Sequence, residues 1–391
     1  MERIWLALKT IFAQVLLGLA ALFSSEVTYV PAPALPFSPA PIIELATTTP
    51  LPATTTLATK EKPVIASSPK LPIKPAPKPP VVETLTPQAI TPVVQPVPQP
   101  QPVSTDTPSD LNSKTRAALV NILCVSDGQG PFQPISGSGV IIDPRGVVLT
   151  NAHVAQFFLL KDYPSRASIE CVLRVGSPAT ATYTATLLHF PSTWLGKNAE
   201  KITATNPTGT GEHDYALLYI TGRTNTSLPL PTSFPYVSPY TGNNITAGQD
   251  VLLAGYPAGF LGGATIQTNL YTSSATAKIA DVFTFYDGGD VDLLSIPGTI
   301  LSQKGASGGA VVRASDSKLI GLIVTASQAE STASRDLRAI TLRHINESLI
   351  AEKAQTLEQL LSGALGPKAA TFNLTLAPTY TQTLVDVLER N

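Results

Sequence analysis

The chain is poor in charged residues, cysteine and histidine. Charged residues make up 14% of the 391, against about a quarter in an average protein, and the net charge is −1. So small an excess of charge gives no broad attraction for nucleic acid, and we expect no nucleic-acid partner. The two cysteines and four histidines lack metal-site spacing, so we predict no metal and no other cofactor. No cysteine precedes Cys124, so we expect no lipid attachment near the N-terminus.

Residues 1–30 are predicted to be a signal peptide or an N-terminal membrane anchor. Arg3 and Lys9 precede a nearly continuous apolar run, Ile11 to Phe23. The run has the length of a signal-peptide core and is shorter than a full membrane span. No clean cleavage site follows, so removal of the segment and its retention as a tether both stay open. In either case we expect a bacterial protein outside the cytoplasm: secreted, periplasmic or anchored at the cell surface.

Residues 31–110 are rich in proline, alanine, threonine and valine and contain over half of the 36 prolines. Such a composition cannot bury a hydrophobic core, so we predict an extended, disordered linker. A spacer that holds a domain away from a membrane or wall is the favoured role. A ligand for proline-binding modules is the alternative.

Short β-like runs separated by glycine, proline, asparagine and aspartate fill residues 111–350, which we predict to be one folded domain. Many short strands at this spacing favour an all-β sandwich or barrel. Glu347 to Leu361 has the apolar spacing of an amphipathic helix, with Gly363 as its stop, so residues 351–391 are predicted to form a C-terminal helix and tail. The predicted strands are 118–125, 139–142, 147–150, 169–175, 183–188, 216–220, 251–254, 310–313 and 319–325.

Cys124 and Cys171 each lie in one of these strand-like runs. In an exported protein they could form a disulfide bond, but two buried free thiols fit the sequence equally well. The sequence leaves both possibilities open.

Ser307 lies in the segment Gly305-Ala306-Ser307-Gly308-Gly309. Glycine permits tight backbone conformations and close approach of a substrate carbonyl. The N–H groups of Gly305 and Ser307 could point at one spot, as stabilisation of an oxyanion requires. We therefore interpret Ser307 as a candidate nucleophile, although such clusters are more often simple turns.

A base and an orienting acid come earlier in the chain. His153 follows a strand-like run, and Asp214 opens another, where its carboxylate would need a partner if buried. An imidazole N–H is a suitable partner because it also fixes the tautomer of the ring. If the backbone at His213 is extended, its side chain points to the opposite face, so His153 is the better base. His189 and His344 are interpreted as surface or packing residues.

These segments occur in the order His, Asp, Ser, and the chain resembles the chymotrypsin-like (trypsin-like) serine peptidases, closest to the bacterial HtrA-like (Deg) branch without a PDZ domain. The resemblance covers about residues 114 to 350. Its motifs are Ser136 to Ile142, Thr150 to Val154, Asp214 to Leu218, Gly255 to Gly259 and Gly305 to Gly309.

The resemblance implies two antiparallel six-stranded β-barrels with the active site between them. It also implies that His153, Asp214 and Ser307 are catalytic and that Gly305 and Ser307 supply the oxyanion hole. Six residues before the nucleophile, Leu301 would form the base of the substrate pocket, beside Val324, Thr325 and Ala326. These residues are uncharged, so we expect a small or medium apolar substrate side chain there.

Two departures from the family pattern matter. Ala306 stands where related enzymes carry aspartate or asparagine, so it cannot pair with a newly cut N-terminus, and we predict no activation by N-terminal cleavage. The 61 residues between His153 and Asp214 exceed the HtrA-like separation, which predicts extra loop within Gly176 to Thr210.

The favoured function is that of an exported serine endopeptidase acting on protein or peptide substrates. One alternative is a catalytically idle peptidase fold used as a binding module on a stalk, which the intact His153, Asp214 and Ser307 disfavour. The other is a serine esterase, because acyl-transfer chemistry alone does not separate peptides from esters.

Overall fold

The computed structural model describes residues 106–128, 132–204, 209–259, 261–326 and 334–390. The predicted signal or anchor segment, and the predicted linker as far as residue 105, lie outside the described residues. Helix α1 (Pro108–Ala117) begins with proline in its first turn and a capping box from Thr107 to Asp110, so the last residues of the predicted linker are helical. Within the described ranges, no helix combines the length and apolar character needed to cross a membrane.

Six strands form the first barrel and pair antiparallel in the closed order β1-β2-β3-β6-β5-β4. Their inward side chains, such as Val120, Ile122, Val148 and Leu218, form one hydrophobic core. The elements are β1 (Leu119–Ser126), β2 (Ile135–Asp143), β3 (Val147–Thr150), α2 (Ala152–Ala155), β4 (Ile169–Val175), β5 (Thr180–His189), α3 (Ser192–Asn198) and β6 (Ala216–Arg223).

The first barrel decides two points that the sequence left open or described incompletely. Cys124 of β1 lies directly opposite Cys171 of β4, and the two form a disulfide bond. The segment Gly176 to Thr210, predicted to hold extra loop, contains strand β5 and helix α3. β5 supplies a wall of the barrel, so much of this segment is part of the fold itself.

The second sheet has seven strands in the order β8-β7-β11-β12-β13-β10-β9. The prediction of a second closed barrel with six strands is therefore corrected. Only Ile279 and Ala280 separate β8, which pairs with β7, from β9, which pairs with β10, and Ala280 N–H donates to Ser295 O of β10. The sheet thus curls round through one strand split in two. The elements are β7 (Asp250–Gly255), α4 (Gly263–Thr268), β8 (Ser273–Lys278), β9 (Asp281–Phe283), β10 (Leu293–Pro297), β11 (Ala310–Arg313), β12 (Lys318–Ala326) and β13 (Asp336–Thr341).

Four helices follow the second sheet, where the sequence predicted one helix and a tail. They are α5 (Leu342–Lys353), α6 (Leu357–Leu361), α7 (Leu365–Thr375) and α8 (Ala377–Arg390). The predicted helix 347–361 is two helices, because Ala354 ends α5 with a left-handed φ of 53°. Helix α7 packs on β5, where Asn373 Nδ2 donates to Leu187 O at 2.6 Å, and α8 buries Leu384 and Val387 in the first core.

Candidate active site

His153 lies in the short helix α2, directly after β3. Asn151 marks the turn between them, and its Nδ2 donates to Asp214 O at 2.8 Å, which joins the end of β3 to the start of β6. Val154 packs against the backbone of Gly137, where a Cβ would lie 2.7 Å from the valine methyl. Gln156 Nε2 donates to His153 O at 2.8 Å. The backbone that carries His153 is therefore fixed on three sides.

Asp214 binds His153 through both carboxylate oxygens. Oδ2 lies 2.7 Å from His153 Nδ1, and Oδ1 accepts from His153 N–H at 3.0 Å. The Asp214 side chain is 9% exposed and that of His153 is 34% exposed, so one face of the imidazole remains accessible. With Nδ1 engaged by the carboxylate, Nε2 is the nitrogen left to exchange a proton with a reacting group.

Burial opposes the charged form of His153, but the negative charge of Asp214 and its hydrogen bond outweigh that penalty. The pKa of His153 is therefore raised above its ordinary value of 6.5. A base with a raised pKa takes a proton more readily, and it must be deprotonated at working pH to do so.

Two carbonyls just before Ser307 define the local backbone. Ala258 N–H donates to Lys304 O, and Gly309 N–H donates to Ala306 O, both at 2.8 Å. A trans peptide holds its N–H opposite its C=O, so these bonds turn the N–H groups of Gly305 and Ser307 the other way. Among the described residues, neither N–H donates to a backbone carbonyl. The arrangement leaves two neighbouring donors available to an oxyanion.

Gly305 and Gly308 are needed for this backbone path. Their φ angles are +88° and +85°, a region that side chains rarely tolerate. A Cβ on Gly305 would lie 2.8 Å from Tyr256 O, and one on Gly308 would lie 2.0 Å from Ser138 O. The positive φ angles and the lack of space for a Cβ therefore explain why glycine occupies both positions.

Ser307 is joined to the strands of the first barrel. Ser138 N–H of β2 donates to Ser307 O at 2.7 Å. Thr150 Oγ1, at the end of β3, donates to Ser138 O at 2.7 Å, and a Cβ on Gly308 would lie 2.7 Å from that same hydroxyl. The segment that carries Ser307 thus rests on the two strands that lead to His153, which brings the two predicted catalytic segments to one place.

Ala306 is 1% exposed and packs in the hydrophobic core of the second sheet. An aspartate or asparagine at this position would need a polar partner in an apolar setting. Alanine, which departs from the family pattern at this position, therefore suits the apolar core around it.

The predicted pocket residues Leu301 and Val324 are buried, at 1% and 4% exposure. Leu301 belongs to the core of the second sheet, and Val324 packs against the backbone of Gly211, just before Asp214. Thr325 and Ala326 lie in β12, paired with Arg338 and Leu337 of β13.

The other three histidines are packing residues inside the molecule. His213 has a left-handed φ of 57°, so the extended backbone assumed for it is wrong, and its Nδ1 bonds Ser348 Oγ at 2.8 Å. His344 is 5% exposed, with Nδ1 3.0 Å from Asp292 Oδ1.

His189 is fully buried, and burial, assisted by the charge of Lys353, lowers its pKa to about 3. It is therefore neutral at pH 7 and forms no ion pair with Glu352, 4.0 Å away. Among the described residues, no three histidine, cysteine, aspartate or glutamate side chains are placed to hold a metal ion.

Sequence reasoning missed four residues that shape the site: Ser138, Thr150, Asn151 and Ala258. All four lie inside the motifs that carried the resemblance, but their roles depend on contacts with distant segments. Only the glycine and polar content of those motifs could have drawn attention to them.

Comparison with known proteins shows what part of the chain is similar to. Residues 137–322 match the family model of the trypsin-like peptidase domain, and this segment includes His153, Asp214 and Ser307. The resemblance to trypsin-like serine peptidases is thus confirmed for this segment.

Among solved structures, the chain is similar to the HtrA-type protease AlgW with a tripeptide, at 21% identity and a TM-score of 0.39. That match covers 63% of this chain and 64% of AlgW. An AlgW variant with a decapeptide is 18% identical over 63% of this chain and 68% of that one, with a TM-score of 0.39. The chain therefore spans just under two thirds of the first of these proteases. No curated protein sequence matches it.

Proposed function

We propose that the protein is an exported serine endopeptidase that cleaves protein or peptide substrates outside the cytoplasm. The main support is the Asp214–His153 pair, 2.7 Å between Oδ2 and Nδ1, where His153 directly follows strand β3, and β2 and β3 contact the Ser307 segment. The trypsin-like match over residues 137–322 agrees with this assignment. The N-terminal segment would serve as an export signal or a membrane tether.

In the proposed mechanism, neutral His153 accepts the proton of Ser307 Oγ at Nε2 as Oγ attacks the scissile carbonyl carbon. The carbonyl π electrons move to oxygen, which the N–H groups of Gly305 and Ser307 stabilise. His153 then gives its proton to the leaving amine as the C–N bond breaks, which leaves an acyl group on Ser307. Asp214 holds the ring and balances the positive charge of the imidazolium.

Water completes the reaction in the proposed mechanism. Neutral His153 takes a proton from a water molecule as the water oxygen attacks the acyl carbon. The same two N–H groups stabilise the second oxyanion. The proton returns to Ser307 Oγ as the carboxylic acid leaves. The enzyme regains its starting state, and one peptide bond and one water molecule have been consumed.

His153 is the better choice of base because the second Asp–His pair is closed to substrate. His344 is 5% exposed, and the nearby Ser348 hydroxyl already bonds His213 and Tyr215. His153 keeps an accessible face, as a base that meets substrate must.

We also propose that the primary pocket, formed around Leu301, Val324, Thr325 and Ala326, accepts a small or medium apolar side chain. A charged substrate side chain would meet no charged partner among these four residues. Preferred cleavage of a peptide library after lysine or arginine would contradict this pocket. Because Ala306 is apolar and buried, activation by a newly cut N-terminus is not part of the proposed mechanism.

Labelling with a fluorophosphonate probe tests the proposed function. We expect the wild-type chain to be labelled, Ser307→Ala to lose labelling entirely, and the exposed Ser227→Ala to behave as wild type. Labelling that persists in Ser307→Ala, or is absent from the wild type, would rule out the proposed nucleophile. The second result would favour the idle binding module.

Turnover of matched peptide and ester substrates then separates the endopeptidase from the esterase. An endopeptidase hydrolyses both, and an esterase hydrolyses only the ester.

A further inference from the structure

Ser138 lies in strand β2 of the first barrel, is fully buried, and directs its polar atoms at the segment around Ser307. Its N–H donates to Ser307 O at 2.7 Å, and its Oγ donates to Gly305 O at 2.8 Å. The same Oγ accepts from Tyr256 N–H at 2.9 Å, while its carbonyl accepts from Thr150 Oγ1 at 2.7 Å. These contacts account for all of its hydrogen-bonding groups.

The bond to Gly305 O completes a series of three. The carbonyls of Lys304 and Ala306 accept from the N–H groups of Ala258 and Gly309, but the carbonyl between them accepts from a side chain of the first barrel. Each bond fixes one peptide plane, and the outer two planes carry the N–H groups of the oxyanion hole. The middle plane links them, at a glycine whose φ is +88°. Ala306 N–H of this plane donates to Gln303 O at 3.3 Å, a longer bond than the 2.8 Å bond from Ser138 Oγ to Gly305 O, so loss of the Ser138 bond would loosen the plane and misalign both donors.

We propose that the Ser138 hydroxyl is a positioning residue, which locks the oxyanion-hole backbone from Lys304 to Ser307 into its working geometry. This inference rests on the proposed function. A hydroxyl suits the position because it accepts one hydrogen bond while donating another. Here the Ser138 hydroxyl links Tyr256, which follows β7, by hydrogen bonds to Gly305 on the opposite side of the turn. Space is limited, since a Cβ on Gly255 would lie 3.2 Å from Ser138 Oγ.

Ala306 gives this role its importance. Its methyl group cannot hold the turn by a polar contact, so a side-chain hydrogen bond to the turn has to come from another segment. The Ser138 hydroxyl supplies it across the boundary between the two sheets. In this proposal the oxyanion hole forms when the first barrel packs on the second sheet, with no requirement for a chain cut.

Ser138→Ala tests the proposal, with Ser168→Ala as the matched control. Ser168 is also buried, at 1% exposure, and its hydroxyl bonds Ser165 in a loop of the first barrel away from the Ser307 segment. Ser138→Ala leaves Tyr256 N–H and Gly305 O unpaired. We expect kcat and the fluorophosphonate labelling rate to fall by about 10²–10³-fold, the loss seen for one oxyanion donor, with KM within about twofold. Ser168→Ala should retain wild-type values for both.

A peptide boronic acid provides a readout that a general loss of structure would not mimic. Its adduct with Ser307 places an oxygen in the oxyanion hole, so its affinity should fall in parallel with kcat, while that of the product peptide stays unchanged. Equal losses for both ligands would contradict the proposal. If Ser138→Ala does not fold, Ser138→Cys keeps a weak donor on a slightly larger side chain, and the same division between kcat and KM is expected.

Hydrogen exchange separates failure of this inference from failure of the proposed function. In a Ser307→Ala background, which needs no catalysis, Ser138→Ala should raise amide exchange in residues 304–309 and Ser168→Ala should not. A wild-type chain that never labels would refute the peptidase, yet this exchange result would still decide the role of Ser138. Unchanged exchange, together with an unchanged labelling rate in Ser138→Ala, would overturn the inference.

Discussion

At the scale of single residues, the carboxylate of Asp214 sets the orientation and the pKa of His153, the proposed base. It contacts both the ring and the backbone N–H of His153, so it fixes the tautomer, the orientation and the pKa together. Burial alone would lower the pKa of His153, and the partner reverses that direction. The proposed catalytic power of the serine therefore depends on a group that never touches substrate.

Asp214→Asn should lower kcat by on the order of 10⁴-fold, because the amide favours the wrong imidazole tautomer. The charge that raises the pKa of His153 is lost while burial remains, so that pKa should fall. Activity is lost as pH falls and His153 becomes protonated, so the acid limb of the residual kcat profile should move to lower pH. The measurement is kcat against pH on a peptide substrate.

Asp292→Asn is the matched control for this experiment. Asp292 forms the other Asp–His pair, 3.0 Å from His344 Nδ1, and is buried away from the proposed reaction. It should leave the acid limb in place. A shift of equal size in both variants would show that Asp214 has no special role.

At the scale of helices and strands, what could be predicted depended on burial. Strands β1, β3, β6 and β11 are apolar runs with long buried stretches, and the sequence predicted them within a few residues. Strand β8 (Ser273–Lys278) is only half buried, so its sequence shows no alternation of apolar and polar residues by which to recognise a strand. The split between β8 and β9, and with it the curled second sheet, was not predictable for this reason.

The candidate site was predictable where its residues lie in local motifs. Glycines around Ser307 and the order of His153, Asp214 and Ser307 are visible in the sequence. The bond from Ser138 Oγ to Gly305 O spans 167 positions and becomes apparent only once the two sheets are packed together. The buried positions of Leu301 and Val324 likewise depend on packing between distant segments.

The disulfide between β1 and β4 allows a test at this scale. It closes a loop with a sequence separation of 47, so replacing Cys124 and Cys171 by alanine should lower the free energy of unfolding by about 2–4 kcal/mol. In the closed barrel, the β1–β4 pair lies opposite the β3–β6 pair that leads to His153 and Asp214. Fluorophosphonate labelling should therefore persist below the unfolding transition.

Chemical denaturation with and without a reducing agent measures this effect. Reduced wild type and the double-alanine variant should unfold at similar denaturant concentrations, both below the oxidised protein. Equal stability of all three would contradict a structural role for the disulfide. Loss of labelling in a folded double-alanine variant would contradict its placement away from the site.

At the scale of the whole molecule, the candidate site exists only where the two sheets meet. The first barrel supplies His153, Asp214 and the Ser138 contacts, and the second sheet supplies Ser307 with its glycines. The C-terminal helices pack on the first barrel, through α7 on β5 and α8 in its core. Packing of the first barrel on the second sheet, rather than any single element, brings the proposed base to the proposed nucleophile.

Trapping the acyl-enzyme tests this account most directly. A peptide ester substrate, quenched rapidly in acid and analysed by mass spectrometry, should leave one acyl group per chain, located on Ser307. The group should be absent from Ser307→Ala and should accumulate far more slowly in Asp214→Asn. An acyl group on another residue, or substrate hydrolysis by Ser307→Ala at the wild-type rate, would contradict the account.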